Sequence, residues 1–403
     1  MEEVLHRFNP WWDSQYPFPG VIRKQYLSRL EDLEKTRDVV LVTGLRRVGK
    51  TTLLHQLIHR LLNKVKARNI LYVSLDNLAF RDHSILDVVE SFRRLSSLKH
   101  DEFVYLFLDE VHFKEDYELQ LKNLYDMGHA KIYASGSASL DIIMKSPHLT
   151  GRQRIMRLTP LSFSEYLKFT GKEISPADRH LYPALAREYI ETGGMPEYVK
   201  TRDPNVLQSL LDSILYRDIA ARYNIRNREG LKDILLFVAQ GVSSPVSVRK
   251  ISRILGIKEE TVRRILDLFV ESGLIHIIEK EGKLSERKAS PKKLFLADTG
   301  LFTVLTENVN FGARVENMVY LTLAKLGNVR YYRTGHGEVD FVQGKRAVES
   351  KYKNEIRQED IRAIKKLRGF QSRILVTENR EGVMEGIELV PLWSFLLTNE
   401  VDP

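Results

Sequence analysis

The sequence predicts an α/β protein of several units, the first built round a parallel sheet that carries a glycine loop. Three observations lead there. At 403 residues the chain is longer than one hydrophobic core usually serves, which points to about two to four units. A β-branched and apolar run, Val39 to Thr43, feeds G-L-R-R-V-G-K-T-T at Gly44 to Thr52, and an apolar stripe at helical spacing from Leu53 to Leu62 follows it. Further on, the apolar run that begins at Phe103 and ends in Asp109 and Glu110 has the length of a central strand buried on both faces.

The glycine loop comes first because its chemistry is the most specific. Strand, loop and helix is the setting in which G-x-x-x-x-G-K-[ST] cradles phosphate. Gly44 and Gly49 stand where the chain must bend with its N–H groups facing one side, and the helix start adds partial positive charge. Polyphosphate suits such a surface. Gly44, Arg47, Gly49, Lys50, Thr51 and Thr52 are the expected contacts. Lys50 reaches the β and γ phosphates, and the Thr51 hydroxyl completes the shell of a Mg²⁺.

Before the loop, Asn9-Pro-Trp-Trp-Asp and Pro17 to Gly20 form an aromatic, turn-rich arm ahead of a helical stretch, Ile22 to Leu33. The Trp11 and Trp12 pair either stacks on a base or packs the arm onto the domain. After the loop come a strand-like run, Asn69 to Leu75, and a helical segment near Ile85 to Leu98. Asp109 and Glu110 then sit at the carboxyl end of a buried strand, the rim on which open α/β sheets bind ligands. Asp109 is expected to hold Mg²⁺ through water, and Glu110 to orient and polarise an attacking water.

Lys131 to Ser137 is another short strand ending in small polar residues, and here the sequence resembles the additional-strand, catalytic-glutamate division of P-loop ATPases. That resemblance implies a hydroxyl that senses the γ phosphate, with Ser135 and Ser137 both eligible. With L-T-G-R, P-L-S-F-S-E-Y-L and G-G-M-P (Gly193 to Pro196) added, nearly the whole chain is similar to the archaeal and bacterial AAA-type ATPases related to the signal-transduction ATPases with numerous domains. The likeness implies ATP with Mg²⁺, and an arginine clamp on the leaving phosphates, Arg152, with Arg154 equally close. A guanidinium matches the charge that develops on a transferring phosphoryl group. Gly194-x-Pro196 resembles the signature through which these ATPases let a following module sense nucleotide, and residues 171–240 would form a helical lid.

From Val246 the pattern is two short amphipathic helices broken at Gly256, then a strand after Gly273, which predicts a winged helix-turn-helix over 241–305. Its basic residues Lys280, Lys283, Arg287, Lys288, Lys292 and Lys293 would line a wing that touches phosphates. Glu259 and Glu260 open the presumed reading helix and oppose DNA, so the module either contacts DNA or packs against another domain.

The last part, 306–403, carries Glu316, Asp340, Glu349 and Lys351 in the order of the PD-(D/E)xK core, and resembles restriction-endonuclease-like domains and Holliday-junction resolvases. Carboxylates would hold Mg²⁺ at a phosphodiester while Lys351, two residues after Glu349, shares its strand face. Ser350 faces the other way, into a position usually apolar, and departs from the pattern.

Composition sets the outer limits. Lys and Arg total 62 against 53 Asp and Glu, and the resulting +9 is compatible with a polyanionic partner without requiring one. The absence of cysteine excludes disulfides, thiolate metal sites and a cysteine nucleophile. No apolar run approaches the ~20 residues of a membrane span, and the acidic start lacks a signal peptide's character. A soluble, cytoplasmic protein without a membrane partner is expected. The reading is therefore a Mg²⁺-dependent ATPase over 1–170 that moves the modules behind it, with DNA, a protein or a second copy of the chain as further partners. Its rivals are an ATP-gated DNA nuclease and a slowly hydrolysing nucleotide switch.

Overall fold

The computed structural model describes residues 1–136, 147–306, 310–334 and 337–400. The chain divides into two units, Met1–Thr159 and a second that starts at Pro160. The helical segment and the two later sheets all belong to the second.

The first unit is a five-stranded sheet in the order β2-β3-β4-β1-β5. Its strands are β1 (Val39–Thr43), β2 (Ile70–Ser74), β3 (Val104–Asp109), β4 (Ala130–Gly136) and β5 (Gln153–Arg157), and every neighbouring pair is parallel. All five residues of β1 are buried, which is why it reads as an unbroken apolar run. The helix Lys50–Leu61 follows the glycine loop and buries Leu53, Leu54, Leu57, Ile58 and Leu61. β4 lies between β1 and β3, so the loop after β1, the Ser135 hydroxyl and the carboxylates at the end of β3 arrive at one rim. Gly44 has φ +150°, and a Cβ there would strike the carbonyl oxygen of Leu158, so only glycine lets the loop pass this close to the chain leaving β5.

The amino-terminal arm covers β2, an edge strand. The Asn9 side chain accepts the Tyr72 N–H at 2.6 Å and donates to the Tyr72 carbonyl at 2.9 Å. The indole N–H groups of Trp11 and Trp12 both donate to the Ile70 carbonyl, at 3.4 and 2.9 Å. Both rings are buried, and Trp12 stacks on Phe92 with centroids 5.8 Å apart. Of the two uses open to the pair, packing is the one observed.

The second unit begins with helices, among them Phe163–Phe169, Tyr182–Thr192, Pro196–Thr201, Pro204–Asp212 and Arg228–Gln240. A small antiparallel sheet follows, ordered β6-β8-β7, from β6 (Pro245–Val246), β7 (Ile275–Ile278) and β8 (Lys292–Leu296). The helices Val248–Leu255 and Glu259–Glu271 lie between β6 and β7, and Gly256 ends the first of them at φ +67°.

The expected basic wing is corrected in part. Between β7 and β8 the chain makes a short helix, Leu284–Ala289, and Glu279 takes up Arg287 at 2.7 Å and Lys292 at 3.0 Å. Lys293, assigned to the same phosphate-touching row, is buried. These cations face carboxylates of their own unit.

The rest is a six-stranded mixed sheet, ordered β13-β14-β12-β11-β10-β9. It comprises β9 (Arg330–Thr334), β10 (Gly337–Gln343), β11 (Arg346–Lys351), β12 (Ser372–Thr377), β13 (Gly382–Met384) and β14 (Ile387–Pro391). β11 pairs in parallel with β12, and β12 with β14. The helix Gln358–Lys365 packs Ile361 and Ile364 into a core with Val339, Ala347 and Leu375. Among the described residues no helix is long and apolar enough to cross a membrane.

Candidate functional site

At the carboxyl rim of the parallel sheet a hydrogen-bond network centres on Asp109. Thr51 donates its hydroxyl to Asp109 Oδ2 at 2.6 Å, and the Tyr72 hydroxyl donates to the same oxygen at 2.9 Å. Ser135 donates to Asp109 Oδ1, and the Glu110 N–H points to the Ser135 oxygen at 3.4 Å. Lys50 is buried and folds back on the loop it belongs to, donating to the carbonyls of Gly44 at 3.0 Å and Leu45 at 3.1 Å. An ammonium that donates to neutral carbonyls at a helix start is chemically suited to anionic oxygens, which accept more strongly.

Glu110 adopts the left-handed conformation, φ 55° and ψ 44°, which costs a non-glycine residue on the order of 1 kcal/mol. Burial pushes its carboxyl above the usual range, Lys50 opposes this, and Asp109 adds to the rise. A carboxylate with raised basicity beside a cation is suited to drawing a proton from water. Its Oε2 also lies 3.3 Å from His112 Nδ1.

Two residues here lay outside the sequence reading. Tyr72 is an apolar-looking strand residue whose hydroxyl grips Asp109, and His55 packs on it with ring centroids 4.2 Å apart. His55 Nδ1 also meets the Tyr16 hydroxyl at 2.8 Å. Burial lowers the His55 pKa to about 4, with Asp109 pulling the other way. The clue available was a histidine one helical turn after Thr51, on the face that the strand must cover.

Arg152 stands elsewhere. Its carbonyl accepts the N–H of Val39, and Val39 pairs with Gln153, so Arg152 flanks the amino end of β1. The glycine loop leaves the opposite end, one strand length or about 16 Å away. Arg152 Nε lies 3.5 Å from Asp126, and its guanidinium stands 5.9 Å from the Tyr125 ring centre. Arg154 donates to Asp38 at 2.7 Å, also at that end. The structure thus sets Arg152 apart from the loop of its own chain because β5 runs parallel to β1. Ser137, the other hydroxyl considered, lies outside the described residues.

Comparison with known proteins bears on this rim. Residues 36–167 match the family described as an AAA domain. Two further stretches, 184–311 and 311–395, match families described as domains of unknown function, DUF8612 and DUF4143. An uncharacterized protein of Methanocaldococcus jannaschii, MJ1544, is 27% identical over 397 residues, covering 89% of this chain and 88% of its own. An uncharacterized protein of Haemophilus influenzae is 28% identical over 346 residues, covering 81% and 84%. Among solved structures, the Walker-type ATPase paby2304 of Pyrococcus abyssi is 16% identical with a TM-score of 0.42, over 73% of this chain and 99% of that one.

The donor set at this rim fits a magnesium nucleotide. Thr51 and Asp109 bring two hard oxygens within 2.6 Å of each other beside the loop's N–H groups, and Mg²⁺ prefers such oxygens together with water and phosphate.

Two more constellations stand out in the second unit. In the first, Asp298 is buried and accepts the backbone N–H of Gly194 at 2.6 Å and of Gly300 at 2.9 Å. Burial raises its pKa to about 7, while both hydrogen bonds act to lower it. In the second, the carboxylates singled out in sequence meet. Glu349 Oε1 accepts from Lys351 at 2.6 Å, and its Oε2 accepts the Asp340 N–H at 3.1 Å. Ser350 donates both its N–H and its hydroxyl to Asp340 Oδ2, each at 3.0 Å. The view of Ser350 as turned away from the acidic residues is therefore corrected: β10 bulges between Val339 and Val342, and such bulges re-aim side chains. Glu316 and Glu338 join through Lys293, a residue whose role the local sequence pattern had not disclosed.

Proposed function

We propose that the chain is a Mg²⁺-dependent ATPase of the AAA type whose nucleotide cycle acts on the modules of its second unit. The observation that carries this reading is the Asp109 network, in which the Thr51 and Ser135 hydroxyls meet one carboxylate beside Lys50 and Glu110. Lys50 would leave the Gly44 and Leu45 carbonyls for the β and γ phosphates. Thr51 would bind the metal directly and Asp109 through water, and the Ser135 hydroxyl would report the γ phosphate to both. Mg²⁺ held at Thr51 and Asp109 would supply charge neutralisation for the phosphates. Glu110, raised in basicity by burial, orients the attacking water and accepts its proton. Arg152, remote from its own loop, would clamp the phosphates held by a neighbouring copy.

DNA contact receives less support. Glu279 already engages Arg287 and Lys292 of the supposed wing, which leaves fewer cations for phosphates. ATP turnover by the full chain tests the main reading. Lys50→Ala is expected to abolish measurable nucleotide affinity. Glu110→Gln is expected to keep ATP binding while lowering turnover by about 100-fold or more. Wild-type turnover matched by Glu110→Gln would refute the assignment.

A further inference from the structure

We propose that the ammonium of Lys293 is a built-in cation standing among Glu316, Glu338 and Asp340 where a phosphodiester-cutting site holds its divalent metal, so that this constellation takes no metal and instead bolts β8 to the six-stranded sheet. The inference goes beyond the ATPase reading and does not depend on it.

Lys293 Nζ lies 3.0 Å from Glu316, 2.8 Å from Glu338 and 3.6 Å from Asp340. Its side chain is 1% exposed, so these carboxylates replace its water. The three acids come from the helix Phe311–Ala324 and from β10, whereas Lys293 comes from β8 of the small sheet. Other oxygens of the cluster are engaged by donors of the same sheet. Both Asp340 Oδ2 contacts come from Ser350, and the two oxygens of Glu349 receive Lys351 and the Asp340 N–H.

Mg²⁺ demands about six oxygens at roughly 2.0–2.1 Å in near-octahedral array. Here each of these carboxylates faces an N–H or O–H donor, and among the described residues no group of three or more acidic or histidine side chains is arranged to hold a metal. A lysine is a compact point charge, so one ammonium satisfies several carboxylates without the fixed geometry a metal imposes. The residues do not fit a divalent ion. Taking the ammonium away leaves buried like charges uncompensated, the condition under which a cation from solution would be drawn in.

The test uses the full-length, nucleotide-free chain carrying Asp109→Asn, so that the first unit contributes no metal-binding carboxylate there. Mn²⁺ is added, and the free ion is followed by electron paramagnetic resonance. This parent is expected to show no stoichiometric site up to the order of 1 mM. Adding Lys293→Met, which keeps side-chain length and removes the charge, is expected to create one site at least about 10-fold tighter, lost again on adding Asp340→Asn. A parent that binds one equivalent of Mn²⁺ and loses it with Asp340→Asn overturns the proposal. So does a folded Lys293→Met protein that gains no site. Should Lys293→Met fail to fold, the parent with and without Asp340→Asn decides the matter by the same criterion.

Discussion

Gly194 donates its backbone N–H to Asp298 Oδ2 at 2.6 Å, joining two residues that stand 104 positions apart. The same carboxyl caps Gly300, and a Cβ on Gly194 would strike the backbone oxygen of Leu161. The G-x-P segment is thus held from two sides, by the chain before it and by the turn after β8.

Asp298→Ala is expected to destabilise the second unit by about 2–4 kcal/mol, because two buried N–H groups lose their acceptor. Asp298→Asn retains one carbonyl oxygen and should lose roughly half as much. Urea titration followed by circular dichroism measures both. An alanine variant within about 0.5 kcal/mol of wild type would show that the clamp is slack.

Arg152 yields a prediction about assembly. If it serves the phosphates of an adjoining copy, Arg152→Ala lowers turnover by about 1,000-fold while nucleotide affinity stays near wild type. Mixing it with Lys50→Ala should recover activity above either variant alone, since some interfaces then combine an intact arginine with an intact loop. Unchanged turnover in Arg152→Ala would leave the guanidinium as a local partner of Asp126 and the Tyr125 ring.

His55 gives stability a pH dependence of known sign. Its folded pKa, about 4, lies below the ordinary 6.5, so between those values the unfolded chain binds the proton that the folded one refuses. Its contribution is intact above pH 6.5 and falls as pH drops towards 4, by ~3 kcal/mol in all. Wild type should lose that much more than His55→Gln over the interval. Parallel stability curves for the two proteins would contradict it.

Much of the parallel sheet was legible in sequence because a strand buried on both faces writes itself as a continuous apolar run. β1 spans Val39–Thr43 as its residues suggest, and β3 ends on Asp109 where the apolar run stops. The loop was legible for a similar reason: its glycines and Lys-Thr pair are consecutive.

What escaped depends on partners distant along the chain. Tyr72 sits in an apolar run like any buried strand residue, and its hydroxyl acquires meaning only once β2 is laid beside β3. Lys293 looked like one more surface cation of a basic stretch. Pairing of β8 with β6 and β7 turns it inward, towards carboxylates supplied 23 to 47 residues later. Arg152 is the converse: its distance from the loop follows from the direction of β5, which no local pattern encodes.

The Asn9 amide meets the Tyr72 N–H and carbonyl as a neighbouring strand would, and the two tryptophans close off Ile70 next to it. An open ladder margin is a template for fibrous self-association, and a single side-chain amide with two indoles blunts it here. Clipping this arm should therefore harm colloidal behaviour in concentrated solution before it harms the nucleotide chemistry.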